Sequence, residues 1–223
     1  MEKDKTGKEN TGDKIAWFLH KHRSILLVLV IIIASGIAFS VAFFTIRGVL
    51  EKKAIAKVEN FERRMNELGI QYGEANSAEA NTLLDEINAF APSAFGYAAG
   101  RAYSLAAEIY FSRNEWNSAE ESWVNSARKA PKIYLAPLSL FNAAVAAEEQ
   151  SQLESALTHY KESLEYPGVY PAAARARFNI GRIHEERNEK DSAREAYLDL
   201  IEKNPNSPWA NLAQNRLIVL EKK

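Results

Sequence analysis

The sequence predicts an all-α protein with a single N-terminal transmembrane helix, followed by an α-solenoid of helix pairs and a C-terminal capping helix. Three observations lead to this prediction. Residues 25–46 form one uncharged, strongly apolar run. Residues 77–207 repeat a pattern of small and large side chains at intervals of about 37 residues, which is typical of stacked helix pairs. Residues 208–222 place apolar side chains along one side, as the last helix of such a stack requires. The predicted segments are a head (1–24), a membrane helix (25–46), an amphipathic connecting helix (47–76) and a repeat domain (77–223).

The composition argues against several classes of function. The 223 residues carry 28 Lys and Arg against 29 Asp and Glu, so there is no basic excess for binding nucleic acid. The sequence has no cysteine, which excludes disulfides, thiolate metal sites, a cysteine nucleophile and a lipid-modified cysteine. It also contains no Gly-rich phosphate loop and no HExxH or GxSxG motif. We therefore expect a protein that is not an enzyme and has no cofactor and no metal.

The head has two parts. Residues 1–13 are charged and show no hydrophobic face, so we expect them to be disordered. Residues 14–23, KIAWFLHKHR, mix large apolar side chains with cations. That mixture predicts a short interfacial helix with Trp17 at the depth of the lipid headgroups. His20 and His22 are more typical of polar residues at a membrane surface than of a pH sensor or a metal pair.

Ile25–Ile46 is the predicted contact with the lipid bilayer. Its 22 residues make a helix of about 33 Å, enough for a hydrocarbon core of about 30 Å. A cleaved signal peptide is one alternative, because Ser40-Val41-Ala42 resembles a cleavage site. An uncleaved anchor is favoured because the apolar run continues to Ile46. A buried core helix is disfavoured by the length of the run. Gly36 and Ser40 are four residues apart, a spacing that permits close helix packing in lipid or is simply tolerated there.

The connecting segment carries one apolar stripe, formed by Leu50, Ala54, Val58, Phe61, Met65 and Leu68. The stripe predicts a helix that packs onto the first helices of the repeat domain, with a short coiled-coil homodimer as the alternative. Gly73 and Asn76-Ser77 then predict a turn. Basic residues flank both ends of the membrane helix, so the positive-inside rule does not decide its orientation.

The repeat is defined by buried-type residues at matching positions. Small residues occur at Ala119, Ala156 and Ala193; a large aromatic follows four later at Trp123, Tyr160 and Tyr197; prolines close the units at Pro131, Pro167 and Pro205. Small residues suit the crossing of the two helices of a pair, and the aromatic fills the gap to the next pair. Two capping patterns agree with helix starts: a capping box at Ser151–Glu154, and Ser207 before Pro208.

These residues resemble the tetratricopeptide repeat, whose pattern has a Leu-Gly pair, then Tyr, Ala, an aromatic, Ala and Pro. The third unit matches best, through Ile180, Gly181, Ala193, Tyr197, Leu200 and Pro205; the first matches through Tyr103, Tyr110, Ala119, Trp123 and Pro131. The second departs from the pattern, with Ala147 in place of Tyr. The resemblance covers residues 77–207 and implies an array of helix pairs that binds other proteins.

The whole layout is similar to the membrane-anchored ancillary subunit family of the bacterial SecYEG translocon. That similarity rests on the order of segments rather than on a motif. It implies a bacterial inner-membrane protein with a cytoplasmic N-terminus and a periplasmic C-terminal domain. It also implies association with the translocon or with periplasmic chaperones.

The repeat register predicts a concave groove lined by the first helix of each pair. The expected partner-binding residues are Arg101, Glu108, Phe111, Leu138, Phe141, Val145, Arg175, Phe178 and Arg182. Phenylalanines and guanidinium groups together suit a partly apolar peptide or helix, although the three phenylalanines are also candidates for the core. Tetratricopeptide repeat domains that bind an acidic chaperone C-terminus carry Lys and Asn where this chain has Ser104 and Glu108, which argues against that activity.

Few polar residues outside this groove are candidates for a metal or catalytic site. His184 is expected to be a core or groove residue rather than a ligand, since no second His or Cys accompanies it. Glu148-Glu149 and Glu185-Glu186 are expected at solvated helix ends. The sequence thus favours a non-catalytic protein-binding module, with a self-associating scaffold of a cell-envelope complex as the alternative.

Overall fold

The computed structural model describes residues 11–70, 74–132, 134–166 and 170–222. Within these ranges all regular structure is helical, as the sequence predicts. The α-helices are α1 (Thr11–Lys21), α2 (Arg23–Glu67), α3 (Ala78–Phe90), α4 (Gly96–Ser112), α5 (Trp116–Lys129), α6 (Leu135–Glu149), α7 (Leu153–Leu164), α8 (Ala173–Glu186), α9 (Lys190–Lys203) and α10 (Pro208–Glu221). The expectations for residues 1–10, Gly73 and Pro167 lie outside the described residues.

The chain divides into two compact units, with the boundary between Lys52 and Lys53. In the first unit, α2 is long and apolar enough to cross a membrane, and none of its most apolar window is buried within the protein. Signal sequences pass the same criterion, so the membrane span stays a prediction, as do the segment boundaries. In α1 the Lys21 ammonium lies 4.5 Å from the Trp17 ring centroid.

The second unit begins with the last turns of α2. Val58, Phe61 and Met65 are buried against α3 and α4, so this part of the apolar stripe packs onto the first helices of the repeat domain as predicted. Because the three side chains are covered by their own chain, they are not available to a coiled-coil dimer.

Helix pairs α4/α5, α6/α7 and α8/α9 follow, and α10 packs on α8 and α9. We call α4, α6, α8 and α10 the A helices and α5, α7 and α9 the B helices. The small residues predicted at the crossings are fully buried, at Ala119, Ala156 and Ala193. A glycine allows closer approach still, since a Cβ placed on Gly181 would lie 2.5 Å from Cε1 of Tyr197.

The turn inside each helix pair uses a residue with left-handed backbone. Asn114, Ser151 and Asn188 have φ of 61°, 58° and 61° and are spaced 37 apart. Ser151 therefore ends α6 rather than capping α7, whose N-cap is Gln152 without a side-chain bond. The predicted capping box is wrong for this reason. The second cap is confirmed, because Ser207 Oγ accepts a hydrogen bond from the Ala210 amide at 3.2 Å.

Candidate protein-binding face

The predicted groove residues of α4 are engaged within the protein. Arg101 Nη2 donates to Glu62 Oε1 of α2 at 2.7 Å, and Arg101 Nη1 donates to Glu108 Oε1 at 2.8 Å. Ser104 completes this cluster, with its hydroxyl 3.2 Å from Glu108 Oε1. Arg101 thus links α4 to α2 through Glu62. Because Arg101 and Glu108 also pair with each other, both charges are already neutralised within the protein.

The three phenylalanines of the predicted groove pack on other aromatic rings. Phe141 is only 4% exposed, and its ring centroid lies 5.4 Å from that of Tyr160. The expectation that Phe141 lines the open groove is therefore wrong, because most of its surface is in the core. Phe111 is half-buried against Trp116 and Trp123.

Phe178 lies between a core ring and a surface ring. Its centroid is 5.6 Å from Tyr197 and 5.3 Å from Trp209, and its side chain is half-buried. Phe178 thus joins α8 to both α9 and α10, with part of its ring at the surface.

Arg175 is the cation of this face with an unusual environment. Its guanidinium carbon lies 5.3 Å from the Phe141 centroid and 5.7 Å from the Trp209 centroid, a geometry that attracts a cation to the ring faces. Arg175 is exposed, and none of the ion pairs found among the described residues involves it. It therefore presents an unneutralised guanidinium beside apolar surface.

Two acidic residues link successive helix pairs. Glu148 accepts a hydrogen bond from Tyr160 Oη at 2.6 Å and also pairs with Arg182 of α8. Glu185 accepts from Tyr197 Oη at 3.1 Å and from Arg216 Nε of α10 at 2.8 Å. Glu149 and Glu186 are exposed as predicted, but Glu148 and Glu185 are not solvated helix ends.

Burial, together with the neighbouring carboxylates, raises the pKa of both tyrosines far above the ordinary value for a phenol. Each hydroxyl therefore stays protonated and remains a donor to its glutamate throughout the neutral pH range.

The structure extends the face onto α10, which the sequence predicts only as a capping helix. Trp209 and Arg216 stand 34 residues after Arg175 and Arg182, the length of one tetratricopeptide repeat. This interval is the feature of the sequence from which the extension onto α10 could have been predicted. On the same helix Leu212 is 45% and Val219 is 38% exposed. Together with the half-buried Leu138 and Val145 of α6, these residues form what we call the A-helix face: Leu138, Val145, Arg175, Phe178, Arg182, Trp209, Leu212, Arg216 and Val219.

A second polar cluster, on the B helices, lacks the geometry of a nucleophile and base. Ser155 Oγ and Glu120 Oε1 lie 3.3 Å and 3.0 Å from the same His159 nitrogen, Nε2. A catalytic relay needs an acid hydrogen-bonded to the ring nitrogen opposite the hydroxyl, but the acid on that side, Glu162, lies 3.7 Å from His159 Nδ1, too far for a hydrogen bond. Among the described residues no group of three or more acidic or histidine side chains is placed to hold a metal ion. The cluster therefore serves to join α5 to α7.

His184 is half-buried, with Nδ1 2.6 Å from Glu189 Oε2. The sequence predicts a core or groove residue; the structure shows instead that His184 joins the end of α8 to the turn before α9.

Comparison with known proteins agrees with the helix pairs. Residues 141–208 match the tetratricopeptide repeat. A tetratricopeptide repeat-containing protein of Treponema pallidum (strain Nichols) is 29% identical over 219 residues, covering 91% of each chain. Both comparisons show similarity to tetratricopeptide repeats, and the matched segment begins within α6 and contains the rest of the second helix pair and all of the third. Tetratricopeptide repeats generally mediate binding between proteins, so the coarse expectation of a protein-binding module is supported.

Proposed function

We propose that the protein is a membrane-anchored, non-catalytic binding module that holds a peptide or helix of another protein on the A-helix face. The observation that carries this proposal is the guanidinium of Arg175, which lies over the Trp209 ring outside any ion pair among the described residues, while Leu212 is exposed three residues after Trp209 on α10. Apolar side chains of a partner would pack on Leu212 and Val219, and a hydrogen-bond acceptor of the partner would take the guanidinium.

The proposed location is a bacterial inner membrane, with residues 25–46 as the span, the N-terminus cytoplasmic and the repeat domain periplasmic. Three observations support it: the uncovered apolar helix, a bacterial relative that matches most of the chain, and the similarity in layout to the ancillary translocon subunit. The proposed partners are a translocon component, a periplasmic chaperone or an emerging secreted chain.

Photocrosslinking in native membranes tests the binding face. Photoreactive residues replace Leu138 and Leu212 on the A-helix face and Glu121, an exposed residue of α5, as the control. Phe141 is avoided because a substitution at this core position would disturb the fold. Adducts to another protein at positions 138 and 212, and not at 121, are expected; equal labelling at all three contradicts the proposal.

A matched pair of arginine variants tests the guanidinium. Arg175→Ala removes the stacked cation, and Arg194→Ala removes an exposed arginine of α9. Neither change removes an ion pair found among the described residues. We expect Arg175→Ala to reduce crosslinking at position 212 and Arg194→Ala to leave it unchanged. The face is wrongly assigned if the two variants behave alike.

Orientation is tested separately, using the absence of cysteine. A single cysteine at position 121 is probed with an impermeant thiol reagent on spheroplasts. Labelling before lysis supports the periplasmic assignment, and protection until lysis contradicts it.

The second candidate function is a self-associating scaffold, favoured by one observation on α2. Space around Gly36 is open, with no heavy atom within 4 Å of an added Cβ. Ser40 Oγ donates to Gly36 O at 2.8 Å, so the hydroxyl has a hydrogen-bond partner in lipid. The side chains at positions 36 and 40 are both small. Such a surface suits a second helix. If this candidate is right, Gly36→Leu should abolish self-association. If it is wrong, Gly36→Leu should leave intact the adducts that a photoreactive residue at position 212 forms with another protein.

A further inference from the structure

One end of the second unit carries aromatic side chains from successive helix pairs. Phe95 precedes α4 and is 81% exposed, and Tyr134 precedes α6 and is 67% exposed. Among the described residues of this unit, they are the aromatic side chains most open to solvent. Tyr97 and Tyr166 are half-buried beside them. We call Phe95, Tyr97, Tyr134 and Tyr166 the aromatic rim.

Two contacts and the position of Tyr97 in the chain place these residues at one end. Lys129 Nζ, at the end of α5, donates to the Pro92 carbonyl just before Phe95 at 3.1 Å. Tyr97 stands in the first turn of α4, two residues after Phe95. Tyr166 packs on a cluster that contains Ala127 and Ala136, at the end of α5 and the start of α6.

Positive charge concentrates at the α5–α6 corner of the rim. Lys132 is exposed two residues before Tyr134, and Lys129 is three residues before Lys132 in the sequence. Farther along, Glu59 of α2 and Glu165 of α7 are exposed. The corner between Phe95 and Tyr134 is thus basic, while the ends of the rim carry acids.

A third cation, Lys57 of α2, lies close to this end of the unit. Lys57 Nζ lies 4.9 Å from the Phe90 centroid, on the turn that leads to Phe95. Lys57 is eleven residues after Ile46 (57 − 46). All of these residues belong to α2, so the path from Ile46 to Lys57 is about 17 Å at the rise of an α-helix. Because membrane helices are commonly tilted, a bilayer around residues 25–46 is within reach of side chains at this end.

We propose that the aromatic rim rests on the surface of the lipid bilayer, with Phe95 and Tyr134 at headgroup depth and Lys129 and Lys132 against anionic lipid. The hydroxyl-bearing ring of Tyr134 favours this depth, and the ring of Phe95 adds apolar surface that inserts at the boundary of the acyl chains. Lysine stems extend over apolar surface while their ammonium groups reach the phosphates. The inference rests on the proposed membrane span and adds a second contact that would hold the binding face at a defined height above the bilayer.

Spin labels on the full chain test this contact. Single-cysteine variants Phe95→Cys and Tyr134→Cys are labelled with a nitroxide and reconstituted in vesicles of phosphatidylcholine and phosphatidylglycerol. Glu121→Cys serves as the water-exposed control and Ala42→Cys as the control within the span. The measurement is the ratio of collision rates with oxygen, which enters lipid, and with a nickel chelate, which stays in water.

The two rim labels are expected to give ratios between those of the two controls. Replacing phosphatidylglycerol by phosphatidylcholine, or introducing Lys129→Gln with Lys132→Gln, should lower the rim ratios toward that of Glu121. Rim ratios equal to that of Glu121, with the Ala42 label in lipid, overturn the inference and leave the span standing. A water-exposed Ala42 label overturns the span itself. Spin–spin broadening at positions 95 and 134 would show contact with a second copy instead, and also overturns the lipid contact.

Discussion

Tyr160 Oη donates a 2.6 Å hydrogen bond to Glu148, and Tyr197 makes the equivalent bond to Glu185 in the next helix pair at 3.1 Å. Both tyrosines are fully buried. Each glutamate also meets an arginine of the following A helix. The repeat therefore builds not only a hydrophobic core but also a polar link from one helix pair to the next, in which buried hydroxyls have partners.

Tyr160→Phe should destabilise the protein by about 1–2 kcal/mol, because Glu148 loses a donor and a buried amide loses its acceptor. That amide is Asn179 Nδ2, which lies 2.8 Å from Tyr160 Oη. Urea unfolding measures the change. Tyr134→Phe is the control, since Tyr134 is exposed, and should change stability by less than about 0.5 kcal/mol. Equal stabilities of the two variants would show that the link carries no free energy.

Stability should fall in alkaline solution because of the same tyrosines. The folded pKa of Tyr160 and of Tyr197 is raised above the ordinary value by burial first and by the adjacent glutamate. The unfolded chain then loses these phenolic protons above about pH 10 while the folded chain keeps them. Their contribution is fully present below that pH and is lost as the pH rises toward the folded pKa values.

The slope of stability against pH tests this effect. Tyr160→Phe with Tyr197→Phe should show a shallower decline above pH 10 than the parent protein, by up to about 1.4 kcal/mol per pH unit for each tyrosine. Parallel declines would mean that the tyrosines titrate alike in both states.

The helix pairs were predictable because their signal lies in spacing. Ala119, Ala156 and Ala193 recur every 37 residues, and burial follows directly from that periodicity. The depth of Phe141 was not predictable in the same way. A residue at the edge of a helix stripe is covered or open depending on the neighbour, and here Arg175 and Tyr160 cover it.

The ion-pair network of α4 was also beyond the sequence. Arg101 and Glu108 occupy groove positions of the register, but Glu62 is 39 residues upstream of Arg101. Local patterns do not show which distant helix supplies such a partner. For the same reason, the extension of the face onto α10 depended on the change of spacing from 37 to 34.

Gly181→Ala should destabilise the fold, since the new Cβ would lie 2.5 Å from the Tyr197 ring. Tyr197 is itself fully buried and has little room to move. Overpacking of this kind costs about 1–3 kcal/mol. Gly48→Ala is the matched control, because nothing lies within 4 Å of its added Cβ and alanine favours the helix. Thermal unfolding of both variants measures the difference in stability. A Gly181→Ala protein as stable as the parent would mean that the α8–α9 crossing is looser than the structure shows.

Leu217 and Ile218 are neighbours on α10 that should respond differently to truncation. Leu217 packs on the cluster around Tyr197 and Leu200, whereas Ile218 is 52% exposed. Leu217→Ala should therefore cost about 2 kcal/mol, at the low end for a core leucine because the side chain is only partly buried. Ile218→Ala should change stability by less than about 0.5 kcal/mol. Urea unfolding of the two variants measures the free energy that α10 contributes by closing the stack. If Ile218→Ala proved the more costly, a further part of the protein or a second copy would have to cover that face of α10.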